Sequence, residues 1–362
     1  MKCHLVYTVP PCTLVNRLNR RVLNFLNNMD IPVRLVSNRQ PSGTDLKSWP
    51  IQSPFENTKN LYAALSEKLP TLLYHLTERV HCEFESDDIF LGHPYFPHVT
   101  GRSGVTEIAF NEKIHPKKMA LISPLHCDTS IETAHINRDY LDDVDKLMPS
   151  ADILFAIMGQ YWWDRWDQSE YAHWKPKMVR LDMAINVDNY PIVKKRFNKP
   201  GKRGYLFIGS SWDPRKGSDY FARLMSELKD APCGWIGSGP DIPGVPKISG
   251  VCDLTPRFMV QIADTFDFFV SPARADPNPT TILECMSWGF PVFCTPQSGY
   301  YETEYRRNIY LDDLERSVEV LREFQYIDED TLENMAESAR YVVETDYTWH
   351  KFCGVVMKGL SL

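Results

Sequence analysis

The sequence predicts an α/β protein with two domains, each built on a parallel β-sheet, and three observations support this. Short apolar segments that fit buried strands alternate with longer segments of helical periodicity in both halves of the chain. A length of 362 residues exceeds what one hydrophobic core usually organises. A segment rich in Lys, Arg, Pro and Gly at Lys194–Gly204 predicts an exposed linker. Because parallel sheets bind ligands at the carboxyl ends of their strands, we expect the functional site in a cleft between the domains.

The first half begins with a predicted strand at His4–Val9, a helix over residues 13–28 and a second strand at Val33–Val36. In the helix, apolar residues recur every four positions from Leu14 to Leu26. The other elements predicted here are a helical segment at Lys59–Val80 broken at Pro70, and strands at Asp88–Gly92, Thr106–Ala109, Met119–Ser123 and Ile153–Met158.

The alternation restarts after the linker. The predicted strands are Tyr205–Ile208, Gly234–Ile236, Lys247–Ile248, Phe266–Pro272 and Phe290–Thr295, and helices are predicted from about Ser218, Thr255 and Asn278. The last two strands are apolar at nearly every position, which is typical of strands covered by helices on both faces.

The helix between these last two strands carries the strongest site signal. Asn278 is a good N-cap, Pro279 fits the first helical position and Gly289 fits the C-terminal end. Asp276 then lies just before the helix N-terminus, and Glu284 lies on its second turn. A helix N-terminus binds phosphate through free N–H groups and a partial positive charge. This arrangement predicts a site for a diphosphate with a polyhydroxylated group on either side.

Composition restricts the function classes. A formal net charge of −7 argues against nucleic-acid binding, which needs a basic surface. Nine cysteines without metal-ligand spacing are typical of reduced thiols in a cytoplasmic protein. No signal peptide and no apolar segment approaching 18 residues is present. Arg17, Arg20 and Arg21 leave peripheral contact with the inner membrane surface open, although a solvated face is favoured. Monomer and homodimer both remain open.

Five segments in the second half occur in a recognisable order and spacing. They are VRLDMAINVDNYP, YLFIGSSWDPRKG, GWIGSGPD, ADTFDFFVSPARADPNPTTILECMSWGFPVFCT and QSGYYE. Together they resemble the family-4 retaining glycosyltransferases over roughly Val179 to Trp349. The resemblance implies the GT-B fold, in which two Rossmann-like domains face each other across a nucleotide-sugar cleft. Residues 1–185 would form the acceptor domain and residues 186–345 the donor domain, with a helix at 346–362 packing back on the first.

The resemblance implies roles for three charged residues. Glu284 matches the second glutamate of the family's E-x7-E motif, which hydrogen-bonds the ribose hydroxyls. Asp276 stands at the first glutamate, which contacts the transferred sugar, and its carboxylate is one methylene shorter. Lys216 matches the lysine that neutralises the diphosphate.

The remaining donor-side residues surround these. Ser210 follows Gly209 where the family usually has an arginine, and Arg215 could replace that charge. The loop Pro277–Thr281 replaces the usual Gly-Phe-Gly, so the sugar selectivity of the family is not transferred. Gly237, Asn278, Thr280 and Thr281 complete the predicted donor site.

The family often places a histidine of the first domain beside the reacting sugar. His126 is the first choice for this role and His93 the second, which makes Asp276, His126 and Lys216 the predicted catalytic residues. The resemblance implies retention of configuration, with the leaving phosphate deprotonating the acceptor and no covalent nucleophile. No convincing Asp-x-Asp metal motif is present, so we expect no metal and no cofactor beyond a UDP- or GDP-linked co-substrate.

Several alternatives remain open at this stage. The acceptor could be a glycan, a lipid or a small molecule, and a nucleotide-sugar epimerase or a catalytically degenerate GT-B binding protein would share these motifs. A group of aromatic residues could stack on sugars, but core or interface packing is favoured. These residues are Tyr161, Trp162, Trp163, Trp166 and Trp174.

Overall fold

Two separate parallel β-sheets form the framework of the computed structural model. The structure describes residues 5–9, 33–37, 73–74, 87–94, 117–129, 134–250 and 254–362, together with residues 24, 25, 27–29, 31, 106 and 110. The predicted membrane-facing arginines, Arg17, Arg20 and Arg21, lie outside these residues, as does most of the predicted helix over residues 13–28.

The first sheet has the strand order β3-β2-β1-β4-β5-β6-β7, with every neighbouring pair parallel. Its strands are β1 Leu5–Val9, β2 Val33–Ser37, β3 Leu73–Tyr74, β4 Ile89–Gly92, β5 Lys118–Pro124, β6 Ile153–Ile157 and β7 Met178–Leu181. Where side chains are described, β4, β5 and β6 are buried at nearly every position, as their apolar composition predicts.

The second sheet repeats this topology with the order β10-β9-β8-β11-β12-β13, again with parallel pairs. Its strands are β8 Tyr205–Ile208, β9 Cys233–Ile236, β10 Lys247–Ser249, β11 Phe268–Ser271, β12 Val292–Cys294 and β13 Arg306–Asn308. In both sheets the strand order reverses beside the first strand, between β1 and β4 and between β8 and β11. Such reversals open a crevice at the carboxyl ends of the strands, where ligands bind.

Helices connect and cover the two sheets. In the described chain they are α1 Ala134–Leu147, α2 Gln160–Arg165, α3 Ser218–Glu227, α4 Pro256–Thr265, α5 Thr280–Trp288, α6 Leu314–Phe324, α7 Glu329–Asp346 and α8 Trp349–Leu360. Helix α5 packs between β11 and β12, and α7 packs against α5. Helix α8 returns to β6 and β7 of the first sheet, where Lys118 Nζ donates to the carbonyl of Leu360 at 3.0 Å.

Two sequence-based expectations in the first half are wrong. Thr106 is helical rather than part of a strand at Thr106–Ala109. Thr106 and Phe110, four positions apart, are both buried, which is a helical periodicity that the short sequence pattern did not reveal. The short strand β3 lies within the segment predicted as helical at Lys59–Val80, and the rest of that segment is outside the described residues.

The predicted linker is not an exposed tether along its whole length. Lys194 and Arg203 are buried, and Lys194 Nζ lies 2.7 Å from Oδ1 of Asp267. The Asp267 carboxylate also accepts hydrogen bonds from the backbone N–H groups of Asn198 and Gly204, both at 2.8 Å. Burial lowers the pKa of Lys194, and the negative charge of Asp267 opposes this effect. Residues 194–204 are therefore held beside the first strand of the second sheet by Asp267, which lies far away in sequence.

Two further features are the state of the cysteines and the apolar character of the helices in the described chain. Its five cysteines, Cys127, Cys233, Cys285, Cys294 and Cys353, are free thiols, and burial raises the pKa of Cys294 to about 11. Among the described residues, no helix combines the length and apolar character needed to cross a bilayer.

We expect Asp267→Asn to lower the free energy of unfolding by about 3–5 kcal/mol, because the Lys194 charge would remain buried without its counter-charge. Urea unfolding measures this change. Asp230→Asn, at an exposed position after α3, is the matched control and should shift stability by no more than about 0.5 kcal/mol. Equal stabilities for the two variants would contradict the role of Asp267.

Candidate active site

Two loops meet at the carboxyl ends of β8 and β11, where the strand order of the second sheet reverses. The backbone N–H of Arg274, after β11, donates to the carbonyl of Arg215, after β8, at 2.7 Å. Gly217 has a left-handed φ of 72°, and a Cβ atom there would lie 1.8 Å from the carbonyl oxygen of Pro272. Only glycine allows this close approach. The two predicted ligand loops are thus joined through their backbones.

This junction brings Lys216 and Asp276 into a direct ion pair between Nζ and Oδ2. Beside it, the Arg215 guanidinium binds both oxygens of Asp213 at 2.9 Å each. Burial by itself favours the neutral acid of Asp213, but the hydrogen bonds and charge of Arg215, with that of Lys216, hold its pKa below the ordinary value. The hydrogen bond to Asp213 in turn raises the pKa of Arg215. The two cations are therefore each balanced by a carboxylate.

The predicted phosphate-loop glycines lie against each other. A Cβ atom on Gly237 would lie 1.8 Å from the carbonyl oxygen of Gly209, so the ends of β8 and β9 need glycine to approach this closely. Trp235 Nε1 donates to the same carbonyl at 2.9 Å. The hydroxyl groups of Ser238 and Ser210 are 3.4 Å apart. The predicted donor residues Gly209, Ser210 and Gly237 thus form one small surface next to the Lys216 loop.

The start of α5 differs from the sequence prediction. The helix begins at Thr280 with Pro279 at the cap position, and Asn278 is not the N-cap. The Asn278 side chain is buried and its Oδ1 accepts a hydrogen bond from the backbone N–H of Met183 at 2.7 Å. A long-range partner therefore outcompetes the local capping interaction. The end of the helix at Gly289, with a φ of 89°, agrees with the prediction.

Along α5, Thr280 and Thr281 occupy the first two helical positions, and Glu284 lies on the second turn as predicted. Glu284 is buried, as is Thr280. Neither Thr281 nor Glu284 is among the residues that line the cavity described below.

His126 is the first-domain histidine that reaches the site. It follows β5 and is only 3% exposed, and neither ring nitrogen has a hydrogen-bond partner in the described chain. Its ring lies beside that of Trp162, with centroids 5.4 Å apart. Burial, and then the nearby charge of Arg215, lower the pKa of His126 to about 4. A neutral imidazole with unused hydrogen-bonding capacity is therefore held at the site.

His93 has a different environment. Its Nε2 lies 2.9 Å from the Tyr7 hydroxyl, and burial lowers the pKa of the ring to about 3. It does not line the cavity that contains His126. The structure thus brings the first choice of acceptor-side histidine to the other predicted residues but not the second.

The cavity has a volume of about 490 Å³ and is formed by loops of both halves of the chain. Its lining residues are Pro124, His126, Asn137, Tyr140, Trp212, Asp213, Pro214, Arg215, Lys216, Ala275, Asp276 and Pro277. Sequence reasoning missed Asn137, Tyr140, Trp212 and Asp213. Only Asp213 carries a local signal, since it precedes Arg215 by two positions in a turn.

A cross-cleft clasp, formed by residues 159–162 and 276–299, closes one side of this cavity. The backbone N–H of Gly159 donates to the carbonyl of Pro277 at 2.7 Å. Trp162 Nε1 donates to the carbonyls of Gln297 at 3.1 Å and Asp276 at 3.3 Å. The indole that lies against His126 thus also holds the backbone of Asp276.

Glycine is required at the centre of the clasp. A Cβ atom on Gly159 would lie 1.8 Å from the carbonyl oxygen of Gly299. The φ of Gly159 is −75°, which any residue adopts, so the restriction there is contact alone. The aromatic cluster around the clasp serves packing, as favoured from the sequence: Tyr161, Trp162, Trp166 and Trp174 are buried in one core, and Trp163 packs at its edge.

Metal-ligand geometry is a separate question. In the described ranges, no group of three or more His, Cys, Asp or Glu side chains is arranged to hold a metal ion.

Comparisons with solved structures identify the architecture. A sucrose-phosphate synthase from Thermosynechococcus elongatus superposes with a TM-score of 0.65 over 99% of both chains, at 12% sequence identity. A UDP-forming α,α-trehalose-phosphate synthase from Burkholderia xenovorans gives 0.63 over 100% of this chain and 99% of the other, at 11% identity. The chain has the GT-B fold. At these identities the similarity concerns the fold alone.

A third GT-B structure was solved with a ligand. The E. coli trehalose-6-phosphate protein bound with UDP-2-fluoroglucose matches with a TM-score of 0.62, covering 99% of this chain and 98% of its own, at 9% identity. Sequence comparisons give no counterpart: no family of related sequences matches the chain, and no curated protein sequence matches it significantly.

We expect the free energy of unfolding to fall as the pH decreases from 6.5 to 4, because His126 takes up a proton in the unfolded chain but not in the folded one. At pH 5 this contribution amounts to about 2 kcal/mol, at about 1.4 kcal/mol per pKa unit. Urea unfolding at pH 7 and pH 5 should show a smaller decrease for His126→Gln than for wild type. His350→Gln, at an exposed position, should retain the wild-type dependence.

Gly159→Ala should open the cross-cleft clasp, because its methyl group would overlap the Gly299 carbonyl. We expect a loss of about 1–3 kcal/mol in stability and a larger radius of gyration, measured by urea unfolding and small-angle X-ray scattering. The matched control is Gly354→Ala in α8, where an added Cβ meets nothing within 4 Å and helix propensity should slightly stabilise the protein. An unchanged scattering profile for Gly159→Ala would contradict the conclusion that the clasp holds the two halves of the chain together.

Proposed function

We propose that this protein is a retaining glycosyltransferase, similar to family 4, that transfers a sugar from a nucleotide-diphosphate sugar without a metal ion. The observation that carries this proposal is the meeting of Lys216, Asp276, Arg215 and His126 around one cavity at the strand-order reversal of a GT-B fold. Reaction in the cytoplasm agrees with the free thiols of the described cysteines.

The donor would bind on the second-sheet side of the cavity. Its diphosphate would compete with Asp276 for Lys216 and with Asp213 for Arg215, since each cation is ion-paired with that carboxylate. The glycines at 209 and 237 and the N–H groups at the start of α5, near Thr280 and Thr281, allow close approach of phosphate oxygens. Glu284, deeper on α5, would accept hydrogen bonds from the ribose hydroxyls.

Exchange of partners gives Asp276 a function in the reaction. When the diphosphate takes Lys216, the Asp276 carboxylate is released to bind hydroxyl groups of the transferred sugar. Neutral His126, on the opposite side, can donate one hydrogen bond and accept another without adding charge. Lys216 and Arg215 stabilise the negative charge that develops on the leaving diphosphate. An oxygen of that diphosphate would then remove the proton of the attacking acceptor hydroxyl, so no side chain needs to act as a covalent nucleophile.

The GT-B neighbours support the choice of donor. One of them was solved with UDP-2-fluoroglucose, and another is described as UDP-forming, so UDP-glucose is the first donor to test, with GDP-linked sugars second. These neighbours do not identify the acceptor of this chain. Residues of both halves of the chain line the cavity in which it would bind.

The central experiment combines calorimetry with UDP and GDP and an assay for nucleotide release from UDP- and GDP-sugars with a broad acceptor panel. Lys216→Ala and Glu284→Ala should weaken nucleotide binding roughly 10–100-fold through loss of charge-assisted hydrogen bonds. Asp276→Ala should bind the nucleotide at least as tightly as wild type, because Lys216 is freed, but its turnover should fall at least roughly 100-fold. Glu323→Ala, at an exposed position of α6, is the control and should match wild type.

The outcomes separate the alternatives. Failure of wild type to bind either nucleotide would contradict the proposed donor site. Tight binding without turnover of any donor would indicate a degenerate GT-B binding protein. Conversion of the sugar donor into its epimer, without transfer, would indicate an epimerase.

A further inference from the structure

Among the described residues that line the cavity, Trp212 alone exposes a large aromatic surface. Its side chain is 73% exposed, whereas the other tryptophan of the site, Trp162, is buried in the clasp. Single exposed apolar residues are common on protein surfaces and need no explanation on their own. Trp212 differs because the backbone of its loop is anchored and because polar groups line the same cavity.

The loop that carries Trp212 is anchored by the neighbouring loop after β9. The backbone N–H of Ser211 donates to the carbonyl of Ser238 at 2.9 Å, and its hydroxyl donates to the carbonyl of Pro240 at 2.6 Å. A Cβ atom on Gly239, whose φ is 116°, would lie only 3.0 Å from Cδ1 of the indole. One edge of the indole therefore lies close to a glycine, which leaves room for it. The anchored backbone reduces the number of conformations that the loop loses when a ligand binds.

Polar groups from the first half of the chain line the same cavity. Asn137 and Tyr140 project from α1, and the Asn137 amide donates to the carbonyls of His126 at 3.2 Å and Asp128 at 3.0 Å. The His126 ring, buried and without a hydrogen-bond partner in the described chain, also lines this space. An aromatic surface combined with hydrogen-bonding groups suits a sugar ring, which has an apolar face and polar edges.

The charges of the cavity favour an uncharged ligand next to Trp212. Among the described lining residues the cations are Arg215 and Lys216, and each is paired with a carboxylate. If a diphosphate binds these cations, the carboxylates of Asp213 and Asp276 lose their partners and would repel a second phosphate. Among the described lining residues, a sugar phosphate would therefore find no available cation.

We propose that Trp212 forms an acceptor subsite that stacks against the ring of an uncharged sugar, while Asn137, Tyr140 and His126 bind its hydroxyl groups. This inference rests on the proposed function, because it identifies the acceptor class of that same site. It also assigns Trp212 to the acceptor and not to the nucleobase.

Binding can be tested without turnover by saturation-transfer NMR on the full chain in the presence of UDP. The probes are maltotriose, cellotriose, mannotriose and chitotriose as uncharged sugars, and glucose 6-phosphate and fructose 6-phosphate as charged ones. We expect at least one uncharged sugar to bind wild type, with affinity reduced about tenfold or more in Trp212→Ala and largely retained in Trp212→Phe. UDP affinity, measured by calorimetry, should change less than about twofold in either variant.

Tyr326→Ala is the matched control, since Tyr326 is 72% exposed and lies away from the cavity, and it should bind sugars like wild type. Thermal unfolding checks that each variant is folded. Four results would overturn the subsite: no uncharged sugar binds, only the sugar phosphates bind, Trp212→Ala binds sugars like wild type, or it weakens UDP as much as sugar. The last would assign the indole to the nucleobase. Absence of sugar transfer, with these binding results intact, would instead count against the proposed function alone.

Discussion

The structure depends on the way in which the short segment 274–278 is held by hydrogen bonds of its backbone and of the Asn278 side chain to four other segments. Arg274 N–H donates to the loop after β8, and Asp276 N–H donates to the carbonyl of Gln297 at 2.9 Å. The carbonyl of Pro277 accepts from the first half of the chain, and Asn278 accepts from the segment that follows β7. This segment carries the carboxylate closest to the expected chemistry. Its position is therefore set by both halves of the GT-B fold together.

Because of these hydrogen bonds, the cavity lies where loops of the two sheets meet and is not confined to one sheet. Lys216 belongs to the second sheet and His126 to the first, and Trp162 touches both the histidine ring and the Asp276 backbone. Movement of one half relative to the other would change the distance between the two sides of the cavity. The glycines at 159 and 299 permit the close contact that keeps these sides together.

Charge balance is the second organising feature of the site. Arg215 and Lys216 each have a carboxylate partner, which limits the cost of holding charges in a half-buried environment. An anionic ligand would replace these partners, so binding and rearrangement of the carboxylates are coupled. The same principle operates far from the cavity, where buried Lys194 is neutralised by Asp267. Arg203, also buried, instead donates to the carbonyl of Phe324 at 2.7 Å.

The sequence by itself determined the alternation of strands and helices, the parallel sheet of the second half and the placement of Asp276 and Glu284 around α5, because periodicity, apolar runs and glycine positions are local properties. It did not determine which groups would pair. Lys216 and Asp276 are 60 positions apart, the Asn278 side chain bonds Met183 instead of capping α5, and two charged residues of the predicted linker are buried. The sequence ranked His126 above His93, but only the tertiary structure showed that one faces the cavity and the other bonds Tyr7. Such partners are selected by proximity in three dimensions, which depends on how the two sheets pack and not on any local pattern.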